Sequence, residues 1–295
     1  EMQLADWASI TDQPGVTYDA IHLNSTGQQL YSSMLATLVR TSDTWWSARS
    51  EHAVTVAGLN GVPADAKAVA VNLTVTTPRS PGFLTAWACG EPMPPTSNLN
   101  FMSDQTVAVS AVVNVGTGGQ ICIFNSTDTQ VIVDVQGYFG PDSDYVTVAP
   151  SRVIDTRDDG GVHAAGEPLA VRVTGVADVP DDAAAVAVTV TVADNTAPGW
   201  VLSYPCDEPQ TTPIALVNYI QYTATPSFAL VKPGADGTIC LRSLTPANLI
   251  VDVFGYLPAG SSVSVMAPTR LLDTRGGAPI PALTDVVVPV VGVEG

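Results

Sequence analysis

At 295 residues with 46% apolar side chains, the chain is long enough for two or three domains with cores of their own, and too apolar to be disordered. Its formal charge of −17, from 11 Lys and Arg against 28 Asp and Glu, repels phosphate backbones and anionic lipid, which excludes nucleic acid as a partner. The longest apolar run, around Ala183 to Val192, is too short to cross a bilayer, so no membrane insertion is expected in this segment.

Residues 1–48 differ from the rest of the chain. Leu30, Met34, Leu35 and Leu38 recur at helical spacing and predict a helix over Thr26–Val39, with Asn24 or Ser25 as its N-cap. Trp45 and Trp46 then lead into a charged link, Arg49-Ser50-Glu51. Ahead of the helix stands Asp19-Ala20-Ile21-His22-Leu23, in which an Asp three residues before a His is placed to orient an imidazole. This element, its following helix and the preceding Leu4-Ala5-Asp6-Trp7 resemble the last conserved block of SGNH/GDSL hydrolases. The resemblance covers about the first 40 residues and implies that His22 is a general base and Asp19 its orienting partner. The family's Gly-Asp-Ser nucleophile block and its oxyanion-hole blocks have no counterpart in this sequence. The implied catalytic roles therefore require an upstream SGNH domain, and the chain is expected to be a segment of a longer protein.

From Ala53 onward the pattern is β. Val69, Val71, Leu73 and Val75 alternate with small or polar residues, and Val186, Val188, Val190 and Val192 do so further on. Gly61-Val62-Pro63, Ser80-Pro81-Gly82, Gly116 to Gly119, Pro198-Gly199 and Pro233-Gly234 mark the turns. Many short strands with frequent turns predict a β-sandwich, a closed barrel being the alternative.

The strongest organising signal is a long internal repeat. Ala149-Pro150-Ser151-Arg152-Val153-Ile154-Asp155-Thr156-Arg157 returns as Ala267-Pro268-Thr269-Arg270-Leu271-Leu272-Asp273-Thr274-Arg275, and VIVDVQGYF at Val131–Phe139 returns at the same offset as LIVDVFGYL at Leu249–Leu257. A period this long is one domain per repeat. The expected architecture is mainly β: tandem disulfide-bonded β-sandwich domains after a short α/β (SGNH-like) remnant. The boundaries are 1–48 for the remnant, 50–148 for repeat 1 and 149–260 for repeat 2. Residues 261–295 are either the start of repeat 3 or a strand completing repeat 2.

Each repeat owns two cysteines, Cys89 and Cys122 in the first, Cys206 and Cys240 in the second. The simplest connectivity is Cys89–Cys122 and Cys206–Cys240, each beside an aromatic residue of its strand, Trp87 or Tyr204. Such pairing points to an oxidising, extracellular or cell-surface location. Four buried thiols are the alternative. A zinc site is disfavoured because no CxxC pair or His cluster accompanies them, and neither metal nor cofactor is expected.

Asp134 and Asp252, in the VDVxGY strands, need partners if they are shielded from water. The repeated arginines are the obvious supply. The expected pairs fasten consecutive modules, Arg152 or Arg157 reaching Asp134 and Arg270 or Arg275 reaching Asp252. A Ca²⁺ or sugar site using Asp155, Asp158 and Asp159 is the minority alternative, without an EF-hand pattern. His52 and His163 lack metal-ligand spacing. Asn24, Asn72 and Asn125 each begin an N-x-S/T triplet.

The DTR and VDVxGY motifs resemble modules found in tandem in large secreted or surface proteins of actinobacteria. That resemblance covers nearly all of residues 50–295 and implies location and architecture more than activity. Three function classes compete. The first is a noncatalytic structural or adhesive array, with cell-wall glycan or neighbouring copies of itself as partners. The second is the C-terminal half of an SGNH esterase or O-acyltransferase acting on cell-wall or glycan acyl groups. The third is a set of carbohydrate-binding modules.

Overall fold

The computed structural model describes residues 45–208, 213–266, 268–277 and 280–290. The helix expected over 26–39, its Asn24 or Ser25 cap, and the Asp19 and His22 element lie outside the described residues. The chain divides into two compact units, Glu1–Trp45 and Trp46–Gly295, and both β repeats belong to the second.

The protein is mainly β, with tandem sandwich domains. In repeat 1 the strands are β1 (Ser50–Thr55), β2 (Ala68–Thr76), β3 (Gly82–Ala88), β4 (Leu99–Phe101), β5 (Val107–Asn114), β6 (Gln120–Asn125) and β7 (Gln130–Phe139). The strands of repeat 2 are β8 (Val146–Asp155), β9 (Pro168–Arg172), β10 (Ala185–Ala193), β11 (Gly199–Pro205), β12 (Ala215–Tyr219), β13 (Thr225–Val231), β14 (Thr238–Ser243) and β15 (Asn248–Leu257). Each repeat has a four-stranded sheet of the same order, β1-β6-β3-β4 and β9-β14-β11-β12. The facing sheets differ. Repeat 1 has β5-β2-β7, and repeat 2 has the equivalent β13-β10-β15 with β8 added outside β15. All pairings are antiparallel. The described residues of 261–290 form no strand; their one regular element is a 3-10 turn at Thr274–Gly276.

The valine alternation builds these cores. β-Branched side chains suit a pleated surface, and every second residue points inward. Val69, Val71, Leu73 and Val75 pack on Leu84, Ile121 and Ile123 in repeat 1. In repeat 2, Val186, Val188, Val190 and Val192 pack on Val201, Ile239, Leu241, Val251 and Val253. A further cluster spans the repeats. Ala68 of β2 and Tyr145 of the connector are buried with Ala185 and Ala187 of β10 and Leu257 of β15.

The outer faces show what stacking does. β2 alternates between buried and half-buried residues, whereas its counterpart β10 is buried at every position. The outer face of β10 is covered because repeat 1 lies against it, through β4 and β5 packing on β13. Small residues at Ala185 and Ala187 permit that approach.

Two disulfides are present, Cys89–Cys122 and Cys206–Cys240, one per repeat. Cys122 lies opposite Trp87 across the β3–β6 pair, and Cys240 opposite Tyr204 across β11–β14. Each bridge is buried in a small cluster with its aromatic neighbours, Trp87 and Phe124 or Tyr204 and Trp200. The expected connectivity and the aromatic setting are both found.

Candidate functional site

The DTR motif of repeat 2 forms a charged cluster where the two repeats meet. Strand β8 runs antiparallel to β15 with Arg152 opposite Asp252 and Asp155 opposite Ile250. From that register Arg152 forks onto Asp252, Nε to Oδ1 at 2.9 Å and Nη2 to Oδ2 at 3.3 Å. Its Nη1 donates to Asp155 Oδ2 at 3.1 Å. Arg157 forks onto the same Asp155, Nε to Oδ1 at 2.9 Å and Nη2 to Oδ2 at 2.5 Å, while its backbone N–H also donates to Asp155 Oδ1. The result is an alternating row, Arg157–Asp155–Arg152–Asp252, with no net charge. Both carboxylates are buried, Asp252 only 1% exposed. Two-point guanidinium–carboxylate bonding is the geometry best able to hold such charges away from water.

Each letter of the motif has a task. Asp155 gathers both arginines. Thr156 is buried and joins the start of β15, its hydroxyl donating to Asn248 Oδ1 at 3.0 Å and accepting from the Leu249 N–H at 3.0 Å. Arg152 has a further contact: Nη2 donates to the Pro95 carbonyl of repeat 1 at 3.3 Å. One guanidinium thus ties its own sheet together and touches the preceding module.

This corrects the expected pairing. Neither Arg152 nor Arg157 reaches Asp134, and Asp252 is held by Arg152 rather than by Arg270 or Arg275. The reason is strand order. β8 is the outer strand of repeat 2's own sheet, so its arginine meets the VDVxGY aspartate C-terminal to it. Asp134 lies exposed on β7, whose outer edge carries no strand among the described residues.

The motif's second copy repeats the local geometry. Arg270 Nη1 donates to Asp273 Oδ2 at 3.2 Å, Arg275 Nε donates to Asp273 Oδ1 at 2.8 Å, and Arg275 Nη2 also bonds Asp273 Oδ2. Arg270 Nη2 donates to the Pro213 carbonyl at 2.9 Å, the position in repeat 2 that matches Pro95 in repeat 1. Here the cluster is exposed, and Arg270 has no carboxylate in the place of Asp252 among the described residues.

The remaining sequence candidates have plain structural settings. Trp46 stacks on His52 with ring centroids 3.9 Å apart, and its backbone bridges Thr129, so it packs against repeat 1. His163 makes the matching bridge to Ala247 in repeat 2. Asn125 is fully buried and its amide nitrogen donates to the carbonyls of Trp46, Ser47 and Thr127, so its triplet is a structural element and not an accessible glycosylation site. Among the described residues, Asp155, Asp158 and Asp159 form no group of acidic or His/Cys side chains placed to hold a metal ion. A groove at the junction is lined by Phe83, Met93, Pro95, Arg152, Arg157 and Ile250.

The cluster makes stability depend on pH in two opposed ways. The Arg157 hydrogen bonds hold the Asp155 carboxyl below its ordinary 3.8, more strongly than burial raises it. Burial pushes the Asp252 carboxyl above 3.8, and the Arg152 fork only partly offsets this. At Asp155 the unfolded chain takes a proton that the folded one refuses. That contribution is present above 3.8 and is lost as pH falls through the depressed value. At Asp252 the folded chain keeps a proton longer, so stability is lost as pH rises through the raised value. Asp155→Asn should therefore flatten the acid limb of a urea-midpoint profile, and Asp252→Asn the limb just above 3.8. Unchanged slopes in both variants would contradict the cluster.

No protein-family model matches the chain, and no curated protein matches it. Among solved structures, one described as the crystal structure of the STIV MCP is 9% identical, with 74% of this chain and 95% of that chain covered and a TM-score of 0.31. That likeness is too distant to carry fold or function. No helix among the described residues is long and apolar enough to cross a membrane.

Proposed function

We propose that this chain serves as a noncatalytic structural or adhesive β-repeat array of a secreted or cell-surface bacterial protein. The observation that carries the reading is the repeated strap between modules. Arg152 reaches the Pro95 carbonyl of the module before it, and Arg270 reaches the matching Pro213 carbonyl. A device that recurs at each module boundary is what an array needs to hold a fixed spacing. One buried disulfide per module supports an oxidising, extracellular setting.

The Asp19 and His22 element extends the proposal to the parent protein. It fits an SGNH-type esterase or O-acyltransferase domain ahead of the array, with His22 as base and Asp19 orienting it. The array itself has no part in that chemistry.

Two assays on the whole chain test the reading. Turnover of p-nitrophenyl acetate should stay at background, because the sequence holds no Gly-Asp-Ser nucleophile block to be activated. A glycan array should show no saturable signal from the junction groove. Acetate release that disappears in His22→Ala would establish an active site within this chain and overturn the noncatalytic assignment. Sugar-specific binding that disappears in Phe83→Ala would replace the structural reading with a carbohydrate-binding one.

A further inference from the structure

β7 and β15 occupy the same place in their modules and have different fates. β15 is buried along nearly its whole length, while β7 is half-buried or exposed throughout. Ile250 is 4% exposed and its counterpart Ile132 is 48% exposed. Val135 and Tyr138 are also exposed on β7, beside Asp134. A long apolar edge with unpaired backbone groups is a template for another strand.

Two details identify which strand fits. The first is Gly137. At the matching Gly255, an added Cβ would meet the Tyr145 ring of the connector and lie 2.6 Å from the Val146 carbonyl oxygen at the start of β8, so glycine is what lets the connector and β8 pass. At Gly137 a Cβ would meet nothing within 4 Å. The clearance that β8 uses on repeat 2 therefore stands open on repeat 1. The second is charge. Asp134 presents a carboxylate where Asp252 receives the Arg152 fork, and the chain carries one more DTR segment, Pro268–Arg275, that stands exposed. Its Leu271 and Leu272 are exposed, whereas the matching Val153 and Ile154 pack against the core of repeat 2.

We propose that the edge of β7, which carries no strand among the described residues, accepts the DTR strand of a second copy of this chain, with Val265 opposite Gly137 and Pro268–Arg275 beyond it, giving head-to-tail assembly. This rests on the array reading and names its partner surface. The β8–β15 register sets the pairing: Arg270 opposite Asp134, Asp273 opposite Ile132, and the Thr274 hydroxyl toward the Val131 N–H. Pro213 of the donor copy already holds Arg270 as Pro95 holds Arg152. The repeat-1/repeat-2 stack inside one chain is thus the template for the contact between chains. Among the described residues each copy has one donor segment, held on repeat 2 through Arg270, and one acceptor edge, on repeat 1. The contact is therefore heterologous and yields rings or filaments rather than a closed dimer.

Sedimentation velocity on the oxidised whole chain tests this, together with Gly137→Val, Asp134→Arg and Arg270→Asp. The unaltered chain should show mass rising with concentration across the micromolar range. Each variant should weaken association by about tenfold or more. Gly137→Ala, run beside Gly137→Val, should keep the melting temperature unchanged, because an added Cβ meets nothing within 4 Å in the single chain. A mixture of Asp134→Arg and Arg270→Asp chains should recover pairing, since one supplies an intact donor and the other an intact acceptor. A chain monomeric at about 100 µM would overturn the proposal, as would association indifferent to all three changes. A synthetic 261–277 peptide that binds β7 without self-association of the chain would assign the edge to a DTR strand from elsewhere, and would overturn the second-copy partner. None of these failures touches the array reading, which stands or falls on the turnover and glycan assays.

Discussion

Replacing Arg152 with alanine is expected to lower the stability of repeat 2 by about 3–5 kcal/mol, the cost of leaving a buried carboxylate without its counter-charge. Asp252 is 1% exposed and receives both arms of the guanidinium. Asp155 keeps Arg157, which limits the damage on that side. The same change removes the bond to Pro95, so cleavage between residues 140 and 170 should accelerate beyond what unfolding alone explains. Trp200 lies against the second disulfide cluster and Trp87 in the first, so in backgrounds that keep one of them as the sole tryptophan of the five, fluorescence reports each module separately. The Trp200 transition should move and the Trp87 transition should hold. Asp134→Ala, on an exposed edge, should stay within about 0.5 kcal/mol of the unaltered chain. A loss for Asp134→Ala as large as that for Arg152→Ala would mean that β8 serves repeat 1 after all.

Removal of the second disulfide by Cys206→Ala with Cys240→Ala should cost about 4 kcal/mol, from the loop entropy returned to the unfolded chain across a separation of 34 residues. The effect should be confined to one module, because the bridge joins the end of β11 to β14 within repeat 2. Hydrogen exchange should speed up in β9, β11, β12 and β14 and leave β1 to β7 unchanged. Equal acceleration in both repeats would show that the modules unfold as one unit.

Fold class and disulfides were legible because they rest on local signals. Period-two valines, turn residues and two cysteines per repeat each constrain a strand without reference to distant chain. The partner of Arg152 was not legible, and the cause is specific. The sequence presents VDVxGY, DTR, VDVxGY and DTR in that order, so the first DTR lies between two aspartates. Proximity along the chain favours Asp134, a short connector away. The hydrogen-bonding edge of the sheet decides instead for Asp252. The bulges at Ala70/Val71 and Ala187/Val188 fall at the same place in both repeats, so strand irregularity does not separate the two choices either. What separates them is the pairing of β8 with the edge of β15, a long-range property of the sheet. The Pro95 carbonyl was invisible for another reason: a backbone acceptor has no residue-type signature.

The structural role of the DTR motif is tested most directly by two double-mutant cycles measured on repeat 2. Arg152→Ala combined with Asp252→Ala should fall short of additivity by more than about 1 kcal/mol, because the two side chains share one two-point bond. Arg152→Ala combined with Asp134→Ala should be additive within about 0.5 kcal/mol, as expected for groups without a shared partner. Coupling to Asp134 and additivity with Asp252 would contradict the assignment of the motif to the module on its C-terminal side.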